Sequence, residues 1–352
     1  MHFIKSLCFF INGGGSMKKI LISFFLTISI FSFSYYITDL STDTLTINWY
    51  TQDESFTSVI FDGKTFLGER GKFHHVSVGN LKPGKEYTFS IIKGKNSLLN
   101  ENIRTLSNDN RDFIVYGDNR ENSSYHDFIL TKIKEESFDF IFNTGDMVFL
   151  DLFWWQWEKF SEIISELNKP YFPVIGNHEF PMFYINNVFP GIEENTYYYF
   201  VSGDSIFIVL NSNKPLDENS AQYEWFKKIL DNSENYKYKF VFMHKPPFSN
   251  GPHGNNDQAI NFIVPLMEQH KVNIVFSGHD HSYQRFEKNG VIYIVTAGAG
   301  APLYDLEGKN EGLIIQKKIN NYVLCEYSEE SGTYVITAKD TNNGVIDQFD
   351  LR

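Results

Sequence analysis

Five times in this chain an apolar, strand-like run ends directly on a polar group. FIVY leads into Gly117-Asp118, FIFNT into Gly145-Asp146, and YFPVI into Gly176-Asn177-His178-Glu179. FVFM leads into His244, and IVFS into Gly278-His279-Asp280-His281. Stretches of helical pattern lie between them, near 124–136, 154–167, 220–231 and 257–270. Strand–helix alternation of this kind predicts an α/β domain. In such sheets the carboxyl ends of the strands face one crevice, and glycine there lets the backbone turn close to a ligand. The pattern therefore aims Asp118, Asp146, Asn177, His178, His244, His279 and His281 at one place. Singly, a strand-end Asp is most often a turn former or helix cap; the joint occurrence carries the signal.

Upstream, residues 36–106 read as all-β. TLTINWYT (44–51) alternates its side chains, and Leu81, Pro83-Gly84 and Tyr87 have the spacing of a tyrosine corner. This resembles a fibronectin type III sandwich, with a plain β-meander as the alternative. The last segment, about 312–352, returns to strands (GLIIQKK, YVLCEY, TYVITAK, GVIDQFDL) and is expected to complete a sheet. The expected organisation is a leader over 1–34, an all-β module over 35–107 and an α/β domain over 108–352.

The leader reads as a signal peptide. From Met17 the chain runs MKKILISFFLTISIFSFSYY, with two lysines, an apolar core and a small-x-small pattern at Ser32-Phe33-Ser34. A membrane anchor is the alternative, but the apolar stretch is short for a span. Met17 is read as the true start. Export to the periplasm, cell surface or medium is the expectation, with no stable span in the mature form. Without residues 1–34 the chain loses three lysines and no acids, leaving 28 basic against 43 acidic residues, a net charge of −15. That balance argues against a nucleic-acid scaffold or an anionic-membrane binder. It leaves an anionic substrate open, because bound metals can reverse a local field. Cys325 is the only cysteine outside the leader, so no internal disulfide is expected.

The full set of motifs resembles the calcineurin-like metallophosphoesterases, and within them the purple acid phosphatase branch with its N-terminal fibronectin-like domain. The matching stretches are GDNR (117–120), GDMV (145–148), GNHE (176–179), VFMHKPPFSNGPHG (241–254) and GHDHSYQR (278–285). The resemblance implies a β-sandwich flanked by helices (αββα). It also implies a two-metal site of Fe, Zn or Mn, with Asp146 bridging both ions. Asp118 and His281 would hold the first ion; Asn177, His244 and His279 would hold the second. Such a pair activates water and clamps phosphate oxygens. By the same resemblance His178 is not a ligand but faces substrate as acid or transition-state stabiliser. Arg120, His253 and Arg285 are candidates for substrate binding, with Tyr283 beside them.

Two positions depart from the family pattern. The common Asp-x-His motif has Arg120 in place of its histidine, and the tyrosine that the purple branch supplies after the bridging Asp is Phe149 here. Both usual extra ligands of the first metal are missing, and no tyrosinate-to-iron colour is expected. His126 and Asp151 are the nearby candidates to fill the gap. Arg120 has two readings: a guanidinium clamp on phosphate or an ion pair with Asp118 or Glu121. Trp154, Trp155 and Trp157 form either a pocket wall or a core stripe.

The function expected is an exported metal-dependent phosphatase acting on a phosphorylated small molecule or an envelope substrate. A phosphodiesterase on nucleotides or envelope polymers uses the same motifs. A non-catalytic adhesion protein with a degenerate site is the alternative from another class.

Overall fold

A computed structural model describes residues 35–38, 41–107, 109–120, 123–167, 169–192 and 196–351. The expected signal peptide and the expected start at Met17 lie outside the described residues.

The first seven strands are β1 (Tyr35–Thr38), β2 (Leu45–Ser55), β3 (Ser58–Phe61), β4 (Lys64–Leu67), β5 (Gly71–Val78), β6 (Glu86–Lys93) and β7 (Asn96–Arg104). They form a three-stranded sheet, β1-β2-β5, and a four-stranded sheet, β4-β3-β6-β7. Period-2 patterning puts Ile47, Trp49, Val59, Phe61, Phe89 and Ile91 inside. The Tyr87 hydroxyl accepts the Lys82 amide at 2.8 Å, as a tyrosine corner requires. Both features are consistent with a fibronectin III-like sandwich.

The remaining strands are β8 (Phe113–Tyr116), β9 (Phe140–Asn143), β10 (Tyr171–Pro173), β11 (Tyr198–Ser202), β12 (Ser205–Val209), β13 (Tyr238–Met243) and β14 (Ile274–Ser277). They continue with β15 (Tyr283–Lys288), β16 (Val291–Thr296), β17 (Leu313–Lys317), β18 (Asn321–Ser328), β19 (Thr333–Asp340) and β20 (Val345–Asp350). The helices are α1 (Ser123–Ile133), α2 (Trp154–Ser165), α3 (Ile185–Val188), α4 (Ala221–Asp231) and α5 (Val264–Gln269). A π-helical turn over 259–263 leads into α5, whose Pro265 has no N–H to donate. Two sheets result, in the orders β10-β9-β8-β18-β19-β20 and β11-β12-β13-β14-β16-β15-β17. The C-terminal strands join both sheets rather than forming a separate body.

Alternation explains the layering. In β8 and β9, Ile114, Tyr116 and Ile141 face a core shared with α1, α2 and α3. In β12 and β13, Ile206, Ile208, Val241 and Met243 face a core shared with α4 and α5. The intervening residues are phenylalanines that meet between the sheets. Phe142 stacks on Phe242 at 3.7 Å, and Phe113 meets Phe207 and Phe240 edge-on. Each buried ring contributes about 2 kcal/mol by removing its surface from water, and each well-oriented pair about 1 kcal/mol more. The order helices, sheet, sheet, helices is the expected αββα sandwich.

The all-β module is packed onto this sandwich. The Tyr36 hydroxyl donates to the Val188 carbonyl, and its ring lies in the core with Trp157 and Ile163. The described residues form one compact unit. Cys325 is a buried free thiol, and burial pushes its pKa up. No helix among the described residues is long and apolar enough to cross a membrane.

Candidate metal centre

Strands β8, β9 and β10 run parallel, as do β13 and β14. Their carboxyl ends therefore open on one side of the sandwich. The Gly-Asp and Gly-His turns are tight: Asp118, Asp146 and His279 sit in the left-handed region, with φ of 59°, 54° and 72°. Non-glycine residues adopt this conformation at a cost, and such strain concentrates at functional sites. A Cβ on Gly278 would lie 2.4 Å from Asp118 Oδ2, and one on Gly176 would lie 2.3 Å from Asp146 Oδ1. Glycine is thus needed for the strand-end turns to approach each other.

Two ligand groups result, and they share Asp146. One is Asp146, His244 and His279; the other is Asp118, Asp146 and His281, each with its donor atoms within 4.8 Å of one another. Asn177 joins the first of these, with Oδ1 3.0 Å from His244 Nε2. His244 Nε2 also lies 3.1 Å from His279 Nδ1 and 3.3 Å from Asp146 Oδ1. Its other nitrogen, Nδ1, donates to the Thr144 carbonyl at 2.8 Å. In neutral His244 the Nε2 lone pair therefore meets an amide oxygen, a carboxylate oxygen and a second imidazole nitrogen. A cation at their centre satisfies all of these donors, so the residues fit a metal. Oxygen and imidazole ligands suit Fe, Zn and Mn alike.

The second group is set up in the same way. His281 Nδ1 donates to the Pro302 carbonyl at 2.7 Å, which turns Nε2 toward Asp118 Oδ1 at 3.5 Å. A carbonyl on the outer nitrogen fixes the tautomer and orientation of a metal-binding imidazole. Burial pulls the His281 pKa down, but the Asp118 carboxylate and the Pro302 carbonyl outweigh it, so the net shift is upward. Burial, then the neighbouring His244 and His253, hold the His279 pKa far below its ordinary value.

His178 lies at the rim. Its Nδ1 meets the Phe149 carbonyl at 2.5 Å, and its Nε2 is 3.9 Å from Asp146 Oδ2. Of the substrate-binding candidates, two are brought to the cluster. Arg120 reaches Asp146 Oδ2 at 3.4 Å and His281 Nε2 at 3.5 Å. His253 is exposed and stacks on His279 with centroids 4.2 Å apart. Arg285 is engaged elsewhere: Nε and Nη2 donate to Asp347 at 2.7 and 3.2 Å, Nη1 donates to Glu287, and the guanidinium covers Phe349. The Tyr283 hydroxyl donates to Asp347 too, at 2.9 Å. The Arg285 fork is thus engaged by two carboxylates, and no contact with the ligand groups accompanies it among the described residues.

Neither candidate for the missing ligand is in the cluster. His126 is buried between the Tyr116 and Phe160 rings, with Nε2 2.9 Å from the Tyr116 hydroxyl and Nδ1 facing the Asn119 amide. Asp151 accepts Trp157 Nε1 and the amides of Phe183, Tyr184 and Ile185, and so fixes the start of α3. The tryptophans divide. Trp157 is core, whereas Trp155 lines a cavity of about 400 Å³ with Arg120, Met147, Phe149, Lys159 and Ile163.

Three supporting residues carry roles that sequence reasoning left unassigned. Glu179 accepts the amides of Asp146, Met147 and Gly176 at 2.8–2.9 Å. Burial, then the Asp146 charge, push its pKa up to about 8 against these amide donors. Asp280 accepts Ser249 Oγ and the His253 amide, which holds the 249–254 loop over His279. Tyr304 stacks on His281 at 4.1 Å. Glu179 and Asp280 stand inside the GNHE and GHDH motifs, and a buried acid beside a ligand was the available signal.

Residues 111–283 match the family model of the calcineurin-like phosphoesterases. That stretch, just under half of the chain, is similar to the calcineurin-like phosphoesterases. Purple acid phosphatase 21 of Arabidopsis thaliana is 27% identical over 301 residues, covering 76% of this chain and 65% of the relative. Purple acid phosphatase 22 of the same plant is 25% identical over 330 residues, covering 82% and 75%. This chain thus spans just under two-thirds of the length of the first relative. A purple acid phosphatase from yellow lupin (Lupinus luteus) seeds superposes with a TM-score of 0.75 at 17% identity, covering 90% of this chain and 73% of that one. GAP50, the anchor in the inner membrane complex of Plasmodium, superposes with a TM-score of 0.58 at 18% identity, covering 68% and 88%. A fold shared with an anchor does not assign catalysis by itself. The ligand groups around Asp146 are the local feature that bears on it.

Proposed function

We propose that this chain is an exported, metal-dependent phosphoester hydrolase, with residues 35–107 a fibronectin-like module and 108–352 the hydrolase. The observation that carries the reading is that Asp146 belongs to both ligand groups at once. In this reading Asn177, His244, His279 and Asp146 hold one ion, and Asp118, His281 and Asp146 form the other position. Bound metal would activate water and withdraw charge from the phosphate oxygens.

The chain's own residues supply orientation and the proton. The Phe149 carbonyl accepts from His178 Nδ1, which leaves Nε2 facing the cleft. In the imidazolium form, Nε2–H donates to the leaving alkoxide. The Arg120 guanidinium and the His253 ring approach the ligand groups from two sides and offer donors to phosphate oxygens. The cavity beside Arg120 and Phe149 gives the esterified group an apolar wall.

Purified protein assayed with chromogenic phosphomonoesters and diesters, with and without Mn²⁺, Zn²⁺ or Fe, tests the reading. Turnover of the monoester that depends on added or bound metal supports it. Turnover of the diester alone would make the protein a phosphodiesterase. No turnover and no bound metal under any of these conditions would favour a binding protein.

A further inference from the structure

The geometry points to Arg120 as the occupant of the Asp118-side metal position, so that the chain holds one ion tightly and a guanidinium stands in for the other. This rests on the metal-dependent reading above and deepens it.

The atoms that would bind an ion beside Asp118 are the ones Arg120 faces. Arg120 Nε lies 3.4 Å from Asp146 Oδ2, and Nη2 lies 3.5 Å from His281 Nε2. His281 donates through Nδ1 to Pro302, so in the neutral ring Nε2 carries the lone pair that Arg120 meets. A lone pair can face an N–H or a cation, but not both. Guanidinium never gives up its charge in a protein. An ion beside Asp118 would therefore have to displace Arg120 from two ligands and also bear its repulsion. Asp146 divides its oxygens accordingly: Oδ1 faces His244 at 3.3 Å, while Oδ2 faces Arg120. Arg120 is held in place by its neighbours. It follows Asn119, whose side chain is anchored to the Met147 carbonyl at 2.9 Å and to Asn143 at 2.8 Å.

The consequence is a site of mixed cations. One ion on Asp146, Asn177, His244 and His279 and one guanidinium on Asp146 and His281 would each present positive charge to a phosphate oxygen. A planar fork binds such oxygens in a fixed geometry.

Metal counting tests this without reading activity. The protein is stripped with chelator, titrated with Mn²⁺ or Zn²⁺ alone, and measured by calorimetry and by native mass spectrometry. Wild type is expected to bind one ion per chain, with any second ion at least about 100-fold weaker, as repulsion by a neighbouring unit charge implies. Arg120→Ala and Arg120→Met should bind two ions, and Arg120→Lys, which keeps the charge, should stay nearer to one. His279→Ala should lose the tight ion, and Asp118→Asn should keep it. Thermal melts confirm that each variant is folded. Two ions of similar affinity in wild type would overturn the inference, as would a single ion in both Arg120→Ala and Arg120→Met. A tight ion lost in Asp118→Asn but kept in His279→Ala would overturn the assignment of positions. No ion bound by wild type at all would overturn the metal-dependent reading itself.

Discussion

The Glu179 carboxylate accepts the backbone amide of Asp146 at 2.9 Å, and so ties the turn after β10 to the turn after β9. The same carboxylate takes the amides of Met147 and Gly176. Replacing it by Ala leaves three buried N–H groups without an acceptor, each worth about 1–3 kcal/mol. Glu179→Ala is expected to destabilise the metal-free protein by about 3 kcal/mol or more, read as a lower urea midpoint. It should also weaken metal binding, because Asp146 is no longer held. An unchanged midpoint would show that this acid supports nothing.

His178 touches the cleft without belonging to either ligand group. Its removal should therefore separate chemistry from metal binding. His178→Ala is expected to lower turnover roughly 10²–10⁴-fold, the range for a general acid, with metal content unchanged by mass spectrometry. Loss of metal in this variant would make His178 a ligand instead.

His126 gives the fold a defined acid sensitivity. Burial lowers its pKa to about 3 from an ordinary 6.5. Between those values the unfolded chain binds the proton and the folded chain does not, so stability is fully present above pH 6.5 and is lost as the pH falls. From pH 7 to pH 5 this amounts to about 2 kcal/mol. The pH 7-to-5 drop in urea-derived stability should be smaller by about that amount in His126→Gln. An equal drop in both proteins would place the acid sensitivity elsewhere.

Arg285 is expected to matter for stability and not for substrate. Its guanidinium is paired with Asp347 at a site where both side chains are 9% exposed. Arg285→Met should cost about 3–5 kcal/mol, because it strands a buried carboxylate, and should leave KM for a small phosphoester unchanged. A raised KM with unchanged stability would return Arg285 to the substrate site.

Much of this architecture was legible in the sequence because each signal was local. The five strand-end motifs fixed which turns would meet, and the tyrosine corner at Tyr87 could be read from spacing alone. The pairing of Arg285 was not legible because its partner, Asp347, is 62 residues away on another strand, and no local pattern reports such a pair. The short helix α3 was hidden for a similar reason: its start is fixed by Asp151, more than 30 residues upstream. The position of Arg120 was legible as a departure from a motif. Its consequence was not, because that depends on which oxygen of Asp146 it faces.

Asp146 belongs to both ligand groups, so in the proposed function metal binding and chemistry both depend on it. Metal content and phosphomonoester turnover, measured side by side in wild type and Asp146→Asn, test that dependence most directly. Wild type should hold metal and turn over, and Asp146→Asn should lose both while remaining folded. An Asp146→Asn protein that keeps turnover would contradict hydrolysis at this centre.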